Sequence, residues 1–205
     1  MRKMTITEAL VKILEDKHWM RKVFLGGLML CMPILAAFAK GYLLLVFRAC
    51  IRGNETKGLP SWKAGQSFIL GLKGFVIALA YYVFPALAIW GAHVTYKTGG
   101  FHIFLTIAIV LTSLATVFLP WAVANWLSTG FMKSAFQIRR LFRVFGFFGE
   151  YLGVFIRCFL LVLFATGTAF AGFFALLAAA QLMGETTGKY IPNAEDKLAN
   201  NPLES

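Results

Sequence analysis

Four long apolar runs constrain the fold of this chain more than any other feature. They cover residues 23–47, 75–90, 101–127 and 151–183. A membrane-crossing helix needs about 20 mostly apolar residues, so runs of this kind are typical of membrane spans. With 59% hydrophobic and only 14% charged residues, a water-soluble fold of 205 residues has too little polar surface to cover its core. The sequence therefore predicts an all-α integral membrane helical bundle with about four hydrophobic segments, accompanied by interfacial amphipathic helices.

The formal net charge of +11 indicates a contact with polyanions, and its placement indicates which kind. The basic residues lie beside the apolar runs and do not gather on a separate polar domain. This pattern favours anionic lipid head groups at the cytoplasmic face, whereas a nucleic-acid interface needs a basic soluble surface. We expect membrane lipids as partners and no nucleic acid.

Residues 1–22 read as an N-terminal amphipathic helix ahead of a membrane domain at 23–183. Thr5 and Glu8 form a capping-box pattern, which satisfies free amides at a helix start. Ile6, Leu10 and Ile13 then fall on one face of a helix over residues 5–20. Such a helix either lies on the membrane surface or packs on another part of the protein.

The first apolar run, 23–47, contains breaks at Pro33 and at Lys40-Gly41. It forms either one kinked crossing or a re-entrant hairpin. One crossing divides the loop lysines and arginines evenly between the two sides, whereas a hairpin leaves only Lys97 and two tail lysines outside. The positive-inside rule thus favours the hairpin in a bacterial or archaeal inner membrane. It predicts a cytoplasmic N-terminus, cytoplasmic segments at 48–74 and 128–149, and outer segments at 91–100 and 184–205.

The last two runs are the longest. The third has a break at Pro120, and the fourth, over 151–183, is 33 residues, or about 50 Å as one helix. Because the hydrocarbon core is about 30 Å thick, we expect this helix to tilt or to project. Residues 184–205 are polar and are predicted to form a C-terminal tail.

Three groups of residues are candidates for intermolecular or lipid contact. Small residues recur at helical spacing and form a candidate helix-packing face within the chain or with a partner: Ala165, Gly167, Ala169, Ala171, Gly172, Ala175 and Ala179. Lys40 and Arg157 are candidate intramembrane charges. The candidate interfacial anchors are Trp19, Trp62, Arg139 and Arg140.

Reactive constellations do not stand out in the sequence. His18, His93 and His102 have no acidic residue or cysteine at ligand spacing, and the three cysteines are isolated in apolar stretches. Glu150 is the only carboxylate near the membrane core, so no acid–base pair is in place. We predict no catalytic, metal or cofactor-binding residues, no cofactor, and no enzymatic activity.

Several short motifs carry a resemblance to a known family: Asp16-Lys17-His18-Trp19, Lys22, Gly26-Gly27, Pro33-Ile34, Gly41-Tyr42, Arg48 with Ile51-Arg52-Gly53, Leu59-Pro60 with Trp62, Gly71-Leu72-Lys73, Tyr81-Tyr82 with Pro85, and Ala135-Phe136 ahead of Tyr151. In these positions the chain resembles the prokaryotic membrane family called domain of unknown function 4013, over about residues 10–180. The resemblance implies an integral membrane protein with four to six helical segments and no assigned activity.

Two functional hypotheses follow from the sequence. The first is a non-catalytic accessory or scaffold subunit of a membrane complex, with a membrane-protein partner or a second copy of the chain. The alternative is a small transporter or lipid-handling protein. The broken first and third runs, a weak internal repeat and Lys40 in an apolar segment favour that alternative.

Overall fold

A computed structural model describes residues 4–32, 35–52, 59–96, 100–137, 142–165 and 169–191. No strand occurs within these ranges, and the all-α helical bundle is confirmed. The α-helices are α1 (Ile6–Leu14), α2 (Trp19–Leu30), α3 (Ala36–Ile51), α4 (Ala64–Val94), α5 (Phe101–Thr129), α6 (Phe148–Ala165) and α7 (Ala169–Tyr190). Two 3-10 helices, Met132–Phe136 and Phe142–Phe147, lie between α5 and α6.

The capping box at the N-terminus is confirmed, but the helix that it starts is shorter than predicted. Glu8 N–H donates to Thr5 Oγ1 at 3.2 Å, and Thr5 N–H donates to the Glu8 carboxylate at 2.8 Å. Helix α1 ends at Leu14, not at residue 20, and α2 starts at Trp19. The chain turns between the two helices at Asp16, whose carboxylate accepts a hydrogen bond from the N–H of His18. This bond replaces a helical hydrogen bond of the backbone and so favours a turn.

Helix α1 packs on the protein, which is one of the two arrangements that the sequence left open. Ala9 and Ile13 are fully buried, and α1 contacts α7. Val11 and Leu14, on the other side of the helix, remain exposed. The amphipathic pattern therefore serves an internal contact on its buried face.

The first apolar run forms two helices, α2 and α3, which pack against each other. Helix α2 has 12 residues and is about 18 Å long, short of the roughly 30 Å hydrocarbon core. Lys22 Nζ, near the start of α2, donates to the carbonyl of Leu59, beyond the end of α3, at 2.9 Å. This bond brings the segment before α4 back to the start of α2, and the run is divided into two contacting helices instead of one continuous helix.

Helices α4 and α5 form a long antiparallel pair. Gly91 faces the ring of Phe104, and the hydroxyls of Tyr82 and Thr116 are 2.9 Å apart. With 31 and 29 residues the helices are about 46 Å and 43 Å long. The predicted break at Pro120 is absent because α5 continues through it. Proline is tolerated inside membrane helices where neighbouring groups compensate, and Tyr151 donates to the adjacent carbonyl of Val117 at 2.6 Å.

The fourth apolar run is a helical hairpin and not the single long helix that we predicted. Helices α6 and α7 flank residues 166–168, which lie outside the described ranges, and pack against each other. Cys158 Sγ in α6 lies 3.8 Å from the carbonyl oxygen of Ala179 in α7. At the hairpin's open end the Tyr190 hydroxyl donates to Glu150 Oε2 at 2.6 Å. The excess length is thereby resolved by folding back, without tilt or projection.

The predicted polar tail consequently begins later, and the residues before it lie beside Glu150. Residues 184–190 belong to α7 and lie beside the start of α6, so they cannot face away from residues 142–150. Polar residues continue the helix because Thr186 and Thr187 donate to the carbonyls of Leu182 and Met183. Residues 192–205 lie outside the described ranges.

Three described helical segments are long and apolar enough to cross a membrane: Ala64–Val94, Phe101–Thr129 and Val144–Ala165. The chain is therefore a multi-pass membrane protein. Helix α7 is its centre, since it contacts α1, α2, α3, α5 and α6. Phe173 and Leu177 on α7 are fully buried.

Candidate functional site

The densest polar contacts among widely separated segments surround Asp16. Its Oδ1 accepts the N–H of His18 at 2.8 Å, and its Oδ2 accepts Lys22 Nζ at 2.8 Å and the N–H of Leu59 at 2.9 Å. We call this group with its neighbours the Asp16 cluster: Asp16, Lys22, Tyr42, Leu59, Pro60 and Trp62. It joins the start of α2, the middle of α3 and the segment before α4.

The charges of the Asp16 cluster are nearly enclosed. The side chains of Lys22 and Asp16 are only 15% and 10% exposed. Burial alone raises the pKa of Asp16, but the hydrogen bonds from Lys22, His18 and Leu59 outweigh it, so the pKa lies below its ordinary value of 3.8. The carboxylate is ionised at neutral pH, and both of its oxygens are occupied by donors from this chain.

Aromatic contacts complete the Asp16 cluster. The Tyr42 hydroxyl donates to the carbonyl of Pro60 at 2.9 Å, and the rings of Tyr42 and Trp62 stack with centroids 4.3 Å apart. Trp62 was predicted as an interfacial anchor, and in the structure its ring packs against Tyr42 of α3. Through these hydrogen bonds and ring contacts, the Asp16 cluster holds the segment before α4 against helices α2 and α3.

One turn away, α3 and α4 approach at a pair of glycines. A Cβ at Gly41 would overlap the carbonyl oxygen of Ser67, and a Cβ at Gly71 would overlap that of Ala37. Only glycine permits this backbone contact, which is the usual means of tight helix packing in membranes. The pair fixes how α3 crosses α4 beside the Asp16 cluster.

Further along, tyrosine hydroxyls tie the segment after α5 to the helices. Tyr81 in α4 donates to the carbonyl of Ala135 at 2.7 Å and stacks on Phe136 with centroids 5.8 Å apart. Tyr151 donates to Val117 at 2.6 Å. The motifs behind the family resemblance, which are distant in sequence, thus meet in pairs.

The candidate intramembrane charges are not brought together with these clusters. Lys40 and Arg157 are both exposed side chains, on α3 and α6. Trp19 is half-buried and packs edge-on against Phe174 with centroids 6.0 Å apart. Arg139 and Arg140 lie outside the described ranges.

The candidate helix-packing face is divided between two helices. Ala165 ends α6, whereas Ala171, Gly172, Ala175 and Ala179 lie on α7; Gly167 and the side chain of Ala169 lie outside the described ranges. Ala171 is exposed, Gly172 half-buried and Ala175 buried, and the backbone of Ala179 contacts Cys158 of α6.

A close approach of α7 to α3 comes later, at two glycines that the sequence analysis placed in the tail. A Cβ at Gly184 would lie 2.7 Å from the Cβ of Cys50, and one at Gly188 would lie 2.9 Å from the carbonyl oxygen of Ile51. Their spacing of four residues is the GxxxG pattern of membrane helix pairs. This pattern was the sequence signal from which the contact between α7 and α3 could have been predicted.

An apolar groove opens on the other side of the molecule, between α5 and α6. Its volume is about 460 Å³, and Ile89 of α4 closes one part of it. The main walls are Leu105, Ile109 and Val117 of α5 and Phe155 and Phe159 of α6. The residues that the structure describes contain no group of three histidine, cysteine or acidic side chains able to hold a metal ion.

Comparison with known proteins gives one result. The family model described as protein of unknown function, DUF4013, matches residues 24–180. No curated protein and no solved structure matches the chain. Since the match covers well over half of the 205 residues, the chain belongs to the DUF4013 family of proteins of unknown function.

Proposed function

We propose that this membrane protein is a non-catalytic accessory or scaffold subunit of a complex in a bacterial or archaeal inner membrane. The observation that carries the proposal is the Asp16 cluster, where both carboxylate oxygens bind donors of the same chain. With three of its roughly four acceptor positions taken by donors of this chain, the carboxylate orders these segments. Tyr42, Tyr81 and Tyr151 likewise donate to backbone carbonyls.

The basic residues are distributed even more unequally between the two sides once the end of α7 is placed on the same side as Glu150. Lys189 lies near the Glu150 end of the α6–α7 hairpin, since Tyr190 binds Glu150. Placing that end in the cytoplasm puts both tail lysines inside and leaves Lys97 as the single basic residue of the outer loop. The N-terminus, the segment before α4 and the tail are then all cytoplasmic.

The subunit role is tested by gentle isolation. The chain is purified from its native host in mild detergent, and its companions are identified by quantitative mass spectrometry. Glu15→Gln, an exposed substitution outside the Asp16 cluster, is purified in parallel as the matched control. A stoichiometric membrane-protein companion, or a defined homo-oligomer, is expected. A solitary monomer under several mild conditions contradicts the proposal.

The orientation is tested by cysteine accessibility. Single cysteines replace Asn54, Thr98 or Asn200 in a background without the three native cysteines, and intact cells are treated with an impermeant thiol reagent. Labelling at Thr98→Cys alone is expected. Labelling at Asn200→Cys without Asn54→Cys contradicts the cytoplasmic tail, and labelling at Asn54→Cys contradicts the cytoplasmic first loop.

The transporter alternative loses two of its motives in the described residues. Lys40 is exposed, and α5 runs unbroken through Pro120. A lipid-handling role keeps one specific observation in its favour, the apolar groove between α5 and α6.

A further inference from the structure

The groove between α5 and α6 exists because α6 packs on α7 and makes few close backbone contacts with α5. Leu105 and Ile109 form one wall, and Phe155 and Phe159 face them across the gap. At its inner end the groove closes where Tyr151 binds Val117. It is therefore a lateral opening between two predicted spans, shut at one end.

The few hydroxyl groups that line the groove do not need a hydrogen-bond partner from an occupant. Thr112, Ser113 and Thr116 donate to carbonyls four residues earlier in α5, at 2.7–2.8 Å. Each hydroxyl donor is thus satisfied within its own helix. An occupant needs no polar atom at this depth, and a polar one would gain no free donor.

The size of the groove selects among apolar occupants. From Leu105 to Val117 it follows α5 for about 18 Å, at 1.5 Å per residue. A volume of about 460 Å³ spread over that length gives a cross-section of about 26 Å². A helix with side chains, about 10–12 Å across, needs roughly three times that section. One extended hydrocarbon chain can lie within the groove, whereas a partner helix can only cover it.

The groove is also continuous with the lipid-facing surface. Ile109 and Phe159 at its rim are 59% and 55% exposed, like the other apolar side chains of these spans. The medium around the rim is hydrocarbon, and an empty groove would leave its walls without dispersion contacts. The chain that fills it comes from the bilayer.

We propose that the α5–α6 groove is a binding site for one acyl chain of a membrane lipid. The head group of that lipid lies at the surface, and its chain lies along α5 between Leu105 and Val117. This site is independent of the scaffold role, because it requires only that the protein is embedded in a bilayer.

The test uses the full-length protein in vesicles of phosphatidylcholine that carry a photoreactive diazirine in one acyl chain. After illumination, lipid adducts are mapped by mass spectrometry. Adducts concentrated on 105–117 and 155–159 are expected, above the level on Phe84 and Phe164, which are 66% and 85% exposed but outside the groove. Equal labelling of groove and exposed surface overturns the proposal.

Two blocking variants and one control sharpen the result. Ser113→Phe fills the groove from α5, and Ile109→Trp fills it from the rim; each is expected to lose the groove adducts and keep those at Phe164. Leu114→Phe, on the next residue but outside the lining, is expected to keep both. If both folded blocking variants retain the groove adducts, or if the groove yields cross-links between protein chains, the acyl-chain site is wrong.

Discussion

The two halves of α5 belong to one continuous helix, but they lie in opposite surroundings. From Phe101 to Pro120 most side chains are exposed or half-buried, whereas every residue from Trp121 to Ser128 is buried. Hydropathy agrees with this division, since the 18-residue stretch of α5 that qualifies as a span has a mean hydropathy of 2.3 and is only 11% buried, which places it in the exposed part. The difference teaches that the second half is covered by protein, and the first by lipid.

Several polar groups differ in the same way, although Thr116 in the exposed half also contacts Tyr82 of α4, and Asn125, Ser128 and Thr129 also bond within α5. In the exposed half the hydroxyls of Thr106, Thr112 and Ser113 donate to carbonyls of their own helix. In the buried half the hydroxyl of Ser134 approaches Thr129 Oγ1 at 2.6 Å and the carbonyl of Asn125 at 3.0 Å, so bonds cross between elements. A lipid-facing surface must satisfy its polar groups locally, whereas a protein-facing surface can use them to join segments.

Helix α4 repeats the contrast. Near Gly71 it is crossed by α3 at backbone contact, while Phe84 and Trp90 further along are each 66% exposed. The rest of the chain thus covers one end of the α4–α5 pair, which we call the clad end, and leaves the other end exposed. The Asp16 cluster and the glycine crossing both lie at the clad end.

The largest expected effect comes from Trp121→Ala in the buried half. Trp121 is fully buried and packs on Phe147 and Tyr151, so the variant leaves a cavity and is expected to lose about 3–5 kcal/mol. The thermal unfolding midpoint in detergent should fall by about 10 °C. Leu114→Ala in the exposed half is the matched control, and a comparable loss there would contradict the division of α5.

A smaller effect is expected from Asp16→Asn, which tests whether charge also holds the clad end. Hydrogen bonds to a charged group contribute about 1.5–3 kcal/mol each, and the variant weakens those from Lys22 and Leu59. Because the folded pKa of Asp16 is lowered, its contribution is fully present above the unfolded value of 3.8 and is lost as pH falls through the folded pKa.

The measurement is the unfolding midpoint of wild type and Asp16→Asn from pH 7 down to pH 3, with Glu15→Gln as the exposed control. The advantage of the wild type should shrink as the pH falls below the unfolded value of 3.8, since protonation removes the Asp16 charge that the asparagine variant lacks. A difference that stays constant to pH 3 would show that the charge of Asp16 is not its source.

The close crossing at the clad end is tested by Gly41→Ala. The added methyl group meets the backbone of Ser67, which cannot move aside like a side chain, and a cost of about 1–3 kcal/mol is expected. Gly65→Ala is the matched control, because a Cβ there has open space around it. Equal stability of the two variants, measured by thermal unfolding, would mean that α3 does not cross α4 at Gly41.

Local patterns predicted local features well. The capping box at Thr5 and Glu8 and the apolar spans depend on neighbouring residues, so they are readable from the sequence. The basic residues favoured a hairpin over a single crossing at 23–47, and the structure has two contacting helices there, α2 and α3.

The failures concern contacts between distant segments. Within the apolar run at 151–183, Thr166-Gly167-Thr168 was the available turn signal, and it was not used, so one helix was predicted where two pack together. The tail was placed by polarity, although Gly184 and Gly188 seat the end of α7 on α3. The partners of Asp16 were also out of reach, because Leu59 lies 43 residues away and contributes backbone atoms that carry no sequence signal.

The smallest expected effect applies one substitution to both surroundings. Ser134→Ala removes a hydroxyl that joins the segment after α5 to Asn125 and Thr129, and a loss of about 1 kcal/mol is expected. Ser113→Ala removes a hydroxyl that only bonds the carbonyl of Ile109 in its own helix, and a change within about 0.5 kcal/mol is expected. Both variants are compared by chemical unfolding in the same detergent, with repeated measurements because the difference is small. If Ser113→Ala costs as much as Ser134→Ala, hydroxyls in the exposed half also hold the fold, and the contrast between the two halves of α5 no longer predicts which polar groups matter.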